Sequence, residues 1–248
     1  VNKAQALKDL EIKWSGCTAC PLHKGRKHIV FGEGNPNADL MLIGAGPGKD
    51  EDAVGRPFRG VAGSILNQFL QGAKLSRDGD VYITNIVCCY PQIEKEDERS
   101  GKKYIDYRDP NKEERNACRE RLMETIYIVD PMLIVVFGRI AMQALTGKGN
   151  VMSSSRGQIQ TMHMQGRQTE LRYAVMPLYE PGALAASSDH VSSNGPWVPT
   201  INDFSTICNV IDYLREKYYG IAPPEAEVLM KHTPPKEPPD EEEEGRDD

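Results

Sequence analysis

No stretch of this 248-residue chain approaches the ~20 consecutive apolar residues needed to cross a bilayer. Its first residues, VNKAQALKDLEIKW, lack the apolar core of a signal peptide, which predicts a cytoplasmic protein without a membrane partner. No internal repeat is visible. An excess of positive charge is missing as well: the formal net charge is −6, which at first sight argues against a nucleic-acid partner. That charge is unevenly spread. From Pro234 to Asp248 the chain holds eight acidic and two basic residues and so the whole excess, leaving 28 of each sign over the other 233 residues. Total charge therefore does not exclude DNA. A Pro-rich acidic segment cannot bury enough apolar surface to order itself, so residues 222–248 are expected to form a solvating tail behind one domain over 1–221. The competing expectation is a tail that masks a basic groove.

The common phosphate-binding loops are also absent. A strand-like run, ADLMLIG, enters GAGPG and then KDED. A Walker loop would need a glycine where Ile43 stands and a Ser or Thr where Asp50 follows Lys49. The dinucleotide fingerprint fails at Lys49, where its third glycine should be. What remains is a turn of small residues that lets a ligand approach the backbone, followed by Asp50, Glu51 and Asp52. The competing reading is a tight turn with solvated charges.

What is present alternates. Strand-like runs at 38–44, 81–87, 131–138 and 172–178 are separated by helical patterns in VAGSILNQFLQGA, NKEERNACRERLMETIYIV, RIAMQALTG and INDFSTICNVIDYLREKYYG. Short β-branched runs between helices predict an α/β fold, a three-layer α/β/α arrangement with a central, mostly parallel four-stranded sheet. In such folds ligands sit beyond the carboxyl ends of the strands. The glycine turn, Asn85 and the segment after Leu178 all follow strand ends. From Pro91 to Pro110 the chain is charged and shows no periodicity, which reads as a long loop.

Six cysteines are too few and too scattered for a disulfide framework in a cytoplasmic chain of this size. Cys17 and Cys20 form a C-x-x-C pair, and with later cysteines they suggest four thiolates around zinc or a 4Fe-4S cluster, which spacing cannot separate. Cys208 sits at apolar helical spacing and reads as core. Cys88 and Cys89 close a strand, so alternation predicts that only one of them reaches a shared site.

Several co-linear motifs carry a resemblance. CTAC, the lead-in FGEGNP, the loop GAGPGKDED, GRPFRGVAG and the strand YITN stand in the order and spacing of a family 4 uracil-DNA glycosylase. The chain resembles that iron-sulfur family densely from Cys17 to Cys89 and more thinly to a final loop after Leu178. The resemblance implies a uracil-DNA glycosylase-like fold, a DNA partner, a monomeric enzyme, and a 4Fe-4S cluster on Cys17, Cys20, Cys89 and Cys118. It also implies that Phe58 is the stacking aromatic, that Asn85 reads the base edge, that the backbone at Gly46 approaches sugar and base, and that Glu51 belongs to the first catalytic motif. Left to their residues alone, the competing reading of Phe58 is core packing beside a turn and that of Asn85 a cap at a strand end.

Three departures from the family stand out. Ala45 replaces a glutamate, Glu180 in LYEPGAL replaces a histidine, and the segment between Cys89 and Cys118 is longer. A base cannot be attacked inside a duplex, so it must be flipped out at a cost of a few kcal/mol, and the departing base then carries negative charge. An ionised Glu180 accepts hydrogen bonds only, so it is expected to act on water or the sugar as a base, or to meet a donor on a different base. With the volume opened at Ala45, this predicts uracil or a modified pyrimidine, hydroxymethylated or sugar-bearing, as substrate. The latter implies defence against viral DNA. The competing function is a DNA-binding module without catalysis. Lys24, Arg26, Lys27, Arg56 and Arg59 are the candidate phosphate contacts, although a solvated face would look the same.

Overall fold

The computed structural model describes residues 2–147, 151–165, 170–187 and 196–219. The acidic tail expected over 222–248 lies outside them. Eight strands run β1 Gly32–Gly34, β2 Leu40–Gly44, β3 Val81–Asn85, β4 Gln92–Glu96, β5 Lys103–Tyr107, β6 Leu133–Phe137, β7 Gln160–Gln165 and β8 Glu170–Leu178. The helices are α1 Lys3–Trp14, α2 Lys49–Val54, α3 Val61–Gly72, α4 Lys112–Val129, α5 Gly138–Thr146, α6 Met152–Ser155, α7 Pro181–Ala185 and α8 Trp197–Tyr219, with a 3-10 turn at Pro21–Lys24. Among the described residues no helix is long and apolar enough to cross a membrane.

Six strands form one sheet in the order β1-β3-β2-β6-β8-β7. The inner four are parallel and are the four predicted strands; the outer two pair antiparallel to β3 and β8. The inner four are legible because β2, β3 and β6 are buried along their whole length, as a sheet covered on both faces requires. Alternate residues then separate into two cores. Met41, Ile43, Tyr82, Ile134 and Val136 pack with Leu122, Ile126 and Met142 of α4 and α5. Leu40, Leu42, Ile83, Leu133, Val135 and Phe137 pack with Leu66, Phe69 and Phe204 of α3 and α8. The sheet is thus the middle of three layers.

One expectation is corrected here. The segment between Pro91 and Pro110 is no loop but a separate antiparallel ribbon, β4 with β5. Its strands are mostly exposed, so no apolar period marks them. Cross-strand ion pairs hold it instead, Lys95 to Asp106 at 2.6 Å and Lys103 to Glu94 at 2.7 Å. At its base Arg108 grips the buried Glu114 through both carboxylate oxygens, at 2.6 and 2.8 Å.

Candidate active site and thiol nest

β2 and β3 end side by side, with Gly44 opposite Asn85. A Cβ placed on Gly44 would stand 2.5 Å from Asn85 Oδ1 and 2.7 Å from Phe58 Cζ. Glycine at this position is what allows the amide and the ring to meet. Asn85 is only 2% exposed, and its Oδ1 is buried with no hydrogen-bond partner among the described residues. A buried acceptor without a partner is costly, and such atoms are rare unless a ligand or water completes them.

Phe58 is held in an uncommon conformation. Its φ is +50°, a region that costs an aromatic residue of order 1–3 kcal/mol and persists only where surroundings enforce it. The ring meets Phe137 edge-on, with centroids 5.7 Å apart. Two neighbours lock the backbone. A Cβ on Gly63 would stand 1.9 Å from the Phe58 carbonyl oxygen, so only glycine lets α3 approach this closely. Glu51, nearly buried, accepts from the backbone N–H groups of Arg59 at 2.7 Å, Gly60 at 2.9 Å and Gly48 at 2.9 Å. Asp52 in the same turn accepts from the N–H groups of Lys27 and His28 at 2.9 and 3.3 Å. Glu51 and Asp52 are therefore anchors rather than solvated charges, while Asp50 beside them is exposed.

The resemblance implied a catalytic Glu51, but both its oxygens are engaged by backbone donors. Its place is that of the residue that holds the Phe58 loop. Hydrogen bonds to a charged group contribute a net of roughly 1.5–3 kcal/mol each, and bonds that share one carboxylate do not add in full. Glu51→Ala is expected to lower the unfolding free energy by about 3 kcal/mol, read as a lower urea midpoint. An unchanged midpoint would contradict this role.

Ala45 is buried, and its carbonyl accepts from Val87 N–H at 3.2 Å. Gly46 faces Val87 and Pro91, which a Cβ there would meet at 2.9 and 3.1 Å. Glu180 precedes α7 as its N-cap, and its Oε2 would lie 3.3 Å from a Cβ on Gly138. It therefore overhangs the end of β6, beside Phe137. Burial, and after it the charge of Asp109, raises the Glu180 pKa above its ordinary value. Facing it electrostatically is a residue that no sequence motif marks. Tyr107 closes β5, its hydroxyl is buried without a partner among the described residues, and burial followed by the charge of Glu180 keeps it protonated well beyond the usual range.

On the α4 side of the sheet, one cavity is lined by Cys17, Cys20, Cys88, Cys89 and Cys118. This corrects the expectation that only one of Cys88 and Cys89 arrives. β3 ends at Asn85, so strand alternation no longer applies three residues later. Hydrogen bonding by Cys88, then Arg121 against the opposing effect of burial, holds the Cys118 thiol well below its ordinary range. Burial pushes Cys89 up to about 11, opposed by Arg26, whose Nη1 donates to its Sγ at 3.4 Å. Cys208 lies elsewhere, in α8, with Sγ near the Ala73 carbonyl.

Between the thiols and the strand end lies Arg121, which is 1% exposed. Its guanidinium donates to Asn85 O at 2.7 Å, Ile86 O at 3.1 Å and Thr84 Oγ1 at 3.1 Å, and reaches Cys118 Sγ at 3.9 Å. Its helical spacing in α4 reads as an ordinary surface charge, and no sequence signal marks it as buried.

The expected phosphate contacts divide. Lys24 and Lys27 are exposed beside the C-x-x-C segment, while Arg26 serves Cys89. Arg56 and Arg59, joined by Arg77, converge on Glu33 at 2.6, 2.7 and 2.7 Å. Burial alone would raise Glu33, but the hydrogen bonds from Arg59, Arg56 and Arg77 outweigh it and hold the carboxyl below its ordinary value. Part of that positive charge is thus already neutralised.

A family model described as the uracil DNA glycosylase superfamily matches residues 31–203. The chain is 36% identical over 168 residues to the type-4 uracil-DNA glycosylase of Pyrobaculum aerophilum, covering 68% of this chain and 79% of the relative. It is 36% identical over 175 residues to the enzyme of that name from Thermotoga maritima, covering 64% and 84%. With that of Archaeoglobus fulgidus it shares 31% over 184 residues, covering 73% and 83%.

Proposed function

This chain belongs to the uracil DNA glycosylase superfamily and is a DNA glycosylase; from that premise we propose that it flips a pyrimidine, uracil in the first place, out of DNA and hydrolyses its N-glycosidic bond to leave an abasic site. The observation that carries the reading is the meeting of Asn85, Phe58 and Gly44, with Asn85 Oδ1 buried and unpartnered among the described residues. Uracil N3–H is the donor that this oxygen lacks, and the amide nitrogen of Asn85 can donate to a neighbouring carbonyl. Stacking on Phe58 offsets part of the flipping cost. Negative charge on the departing base strengthens the donor contact in the transition state, which is where a fixed amide contributes most. The glycine turn keeps side chains away from the sugar. Glu180, once ionised, is positioned by α7 to accept a proton from attacking water.

We assign a 4Fe-4S cluster to Cys17, Cys20, Cys89 and Cys118, with zinc as the alternative. The donor set is all sulfur, which suits either. Among the described residues no three metal-ligating side chains converge on one ion, and the four thiols line one cavity. A bound cluster would supply a structural tie between the N-terminal segment, α4 and the chain after β3. Anaerobically purified protein is expected to be brown, with iron and sulfide in equal amounts; zinc alone would overturn the assignment.

A second reading is favoured by Tyr107. Its buried hydroxyl, at the end of the ribbon β4–β5, has no partner among the described residues and feels the charge of Glu180, and a free donor together with an acceptor suits a pyrimidine bearing a hydroxymethyl or sugar group. Such an enzyme would act against modified viral DNA. One experiment separates the readings: an oligonucleotide panel with uracil, hydroxymethyluracil, hydroxymethylcytosine and glucosylated bases, scored for alkali-labile sites. Excision of uracil is expected. Excision of modified bases alone would replace the first reading by the second, and binding without cleavage of any base would leave a DNA-binding module.

The pKa of Glu180 gives a pH signature. If Glu180 is the base, excision rises with pH through its folded pKa, above 4.5, and Glu180→Gln flattens the profile. Stability runs the other way. A carboxyl with a raised folded pKa contributes most below 4.5 and loses that contribution as pH climbs through the raised value, so Glu180→Gln should gain stability relative to wild type at neutral pH.

A further inference from the structure

Between α4 and α5 lies a cleft of about 210 Å³ lined by Lys112, Arg115, Asn116, Arg119 and Gln143, with Ile86 at its wall. The three cations follow the i, i+3, i+7 spacing of one helix face. None has a carboxylate partner within salt-bridge distance among the described residues. Arg115 donates to Pro110 O at 2.7 Å and Arg119 to Ala144 O at 3.3 Å. These single backbone contacts orient the guanidinium groups and leave further donors free. Arg139 stands at the rim, bonded to Gln143 at 3.3 Å, with Asp109 3.9 Å away. Glu113 and Glu120, also on α4, are exposed and bond to none of the three. The contrast is with Arg56, Arg59 and Arg77, which share Glu33.

We infer that this cleft is a binding site for the DNA backbone, taking a phosphate on Arg115 and Arg119 with Lys112 and the amides of Asn116 and Gln143 beside it. The inference rests on the glycosylase reading and names the surface that holds the strand while the base is out. Two features favour DNA over a free small anion. Ile86, in the wall, directly follows Asn85 but packs with the α4 and α5 core, so the cleft lies behind the same strand end on the face of the sheet opposite Phe58, where a strand running past the flipped nucleotide can reach it. Arginine forks match phosphate oxygens two at a time, and a row of cations along a helix tracks successive phosphates rather than enclosing one ion.

The test compares the full-length wild-type protein with the triple variant Lys112→Gln/Arg115→Gln/Arg119→Gln on a duplex containing an abasic site, between about 50 and 200 mM salt. Affinity of the variant is expected to fall about ten-fold or more at the lower salt, equally for every flanking sequence. The log–log salt slope should become shallower by about 0.9 for each phosphate that the variant no longer neutralises, or about 0.7 on single strands. Excision at subsaturating DNA should fall in step with affinity, and an Arg115→Lys/Arg119→Lys variant should keep most of the slope. Equal slopes for wild type and the triple variant overturn the inference, whether or not affinity falls, because a folding defect lowers affinity without removing counterion release. If wild type binds DNA but excises nothing, the glycosylase reading fails while the cleft still stands or falls by the slopes; if wild type binds no DNA, both fail.

Discussion

Asn85→Ala lowers single-turnover excision by about 10² to 10³-fold, the cost of removing one preorganised donor from a developing negative charge, while the melting temperature holds or rises. The second half of that result separates function from structure. Most buried polar side chains are hydrogen-bonded, so their removal destabilises. Asn85 Oδ1 has no partner among the described residues, and an orphan acceptor costs roughly 1–3 kcal/mol. Truncation removes that cost together with the base contact. Asn85→Asp should be as inactive, since a carboxylate accepts but does not donate and would repel the departing base. A variant that excises within about three-fold of wild type, well short of the loss expected from a missing donor, would show that the amide does not read the base.

Arg121→Met has the largest expected effect on the molecule as a whole. The guanidinium serves Thr84, Asn85 and Ile86 in the strand end and Cys118 in the thiol nest, all in one buried site. Removing it strands two buried carbonyls, and breaking such a network costs about 3–5 kcal/mol. For a chain of this size that lowers the melting temperature by roughly 10–15 °C. With the proposed cluster bound, the variant should also lose its visible absorbance faster under chelator, because Cys118 is left without its cationic neighbour. Arg121→Lys restores the charge but not the fork, so it should recover cluster retention better than excision. Equal melting and equal absorbance decay in Arg121→Met would remove the link between thiols and strand end.

Legibility in the sequence follows chemical locality. β2 and β6 are written as unbroken apolar runs because a sheet covered on both sides leaves little place for polar side chains, and β3 departs from this only at its end, with Thr84 and Asn85. β1, whose residues are Gly32, Glu33 and Gly34, carries no apolar residue and leaves no pattern to read. The ribbon β4–β5 reads as a loop because cross-strand charges, not a buried face, hold it together. Site residues divide similarly. Phe58 and Asn85 are named by the resemblance, while their residues alone leave core and turn-cap readings open. Tyr107 lies in the ribbon, and Arg121 looks like any charge on a helix until the partner strand is in place.

The sequence by itself determined the layer order, the four inner strands and the small-residue turn after β2, since each depends on residues within one element. Only the tertiary structure decided what the charged side chains do. Glu51 holds three backbone N–H groups across nine residues, Arg121 reaches the carbonyl of Asn85 across 36, and the five nest cysteines meet from three segments. A charge is recognised as anchor, bridge or phosphate contact by what it is packed against, and packing between distant segments has no local signature.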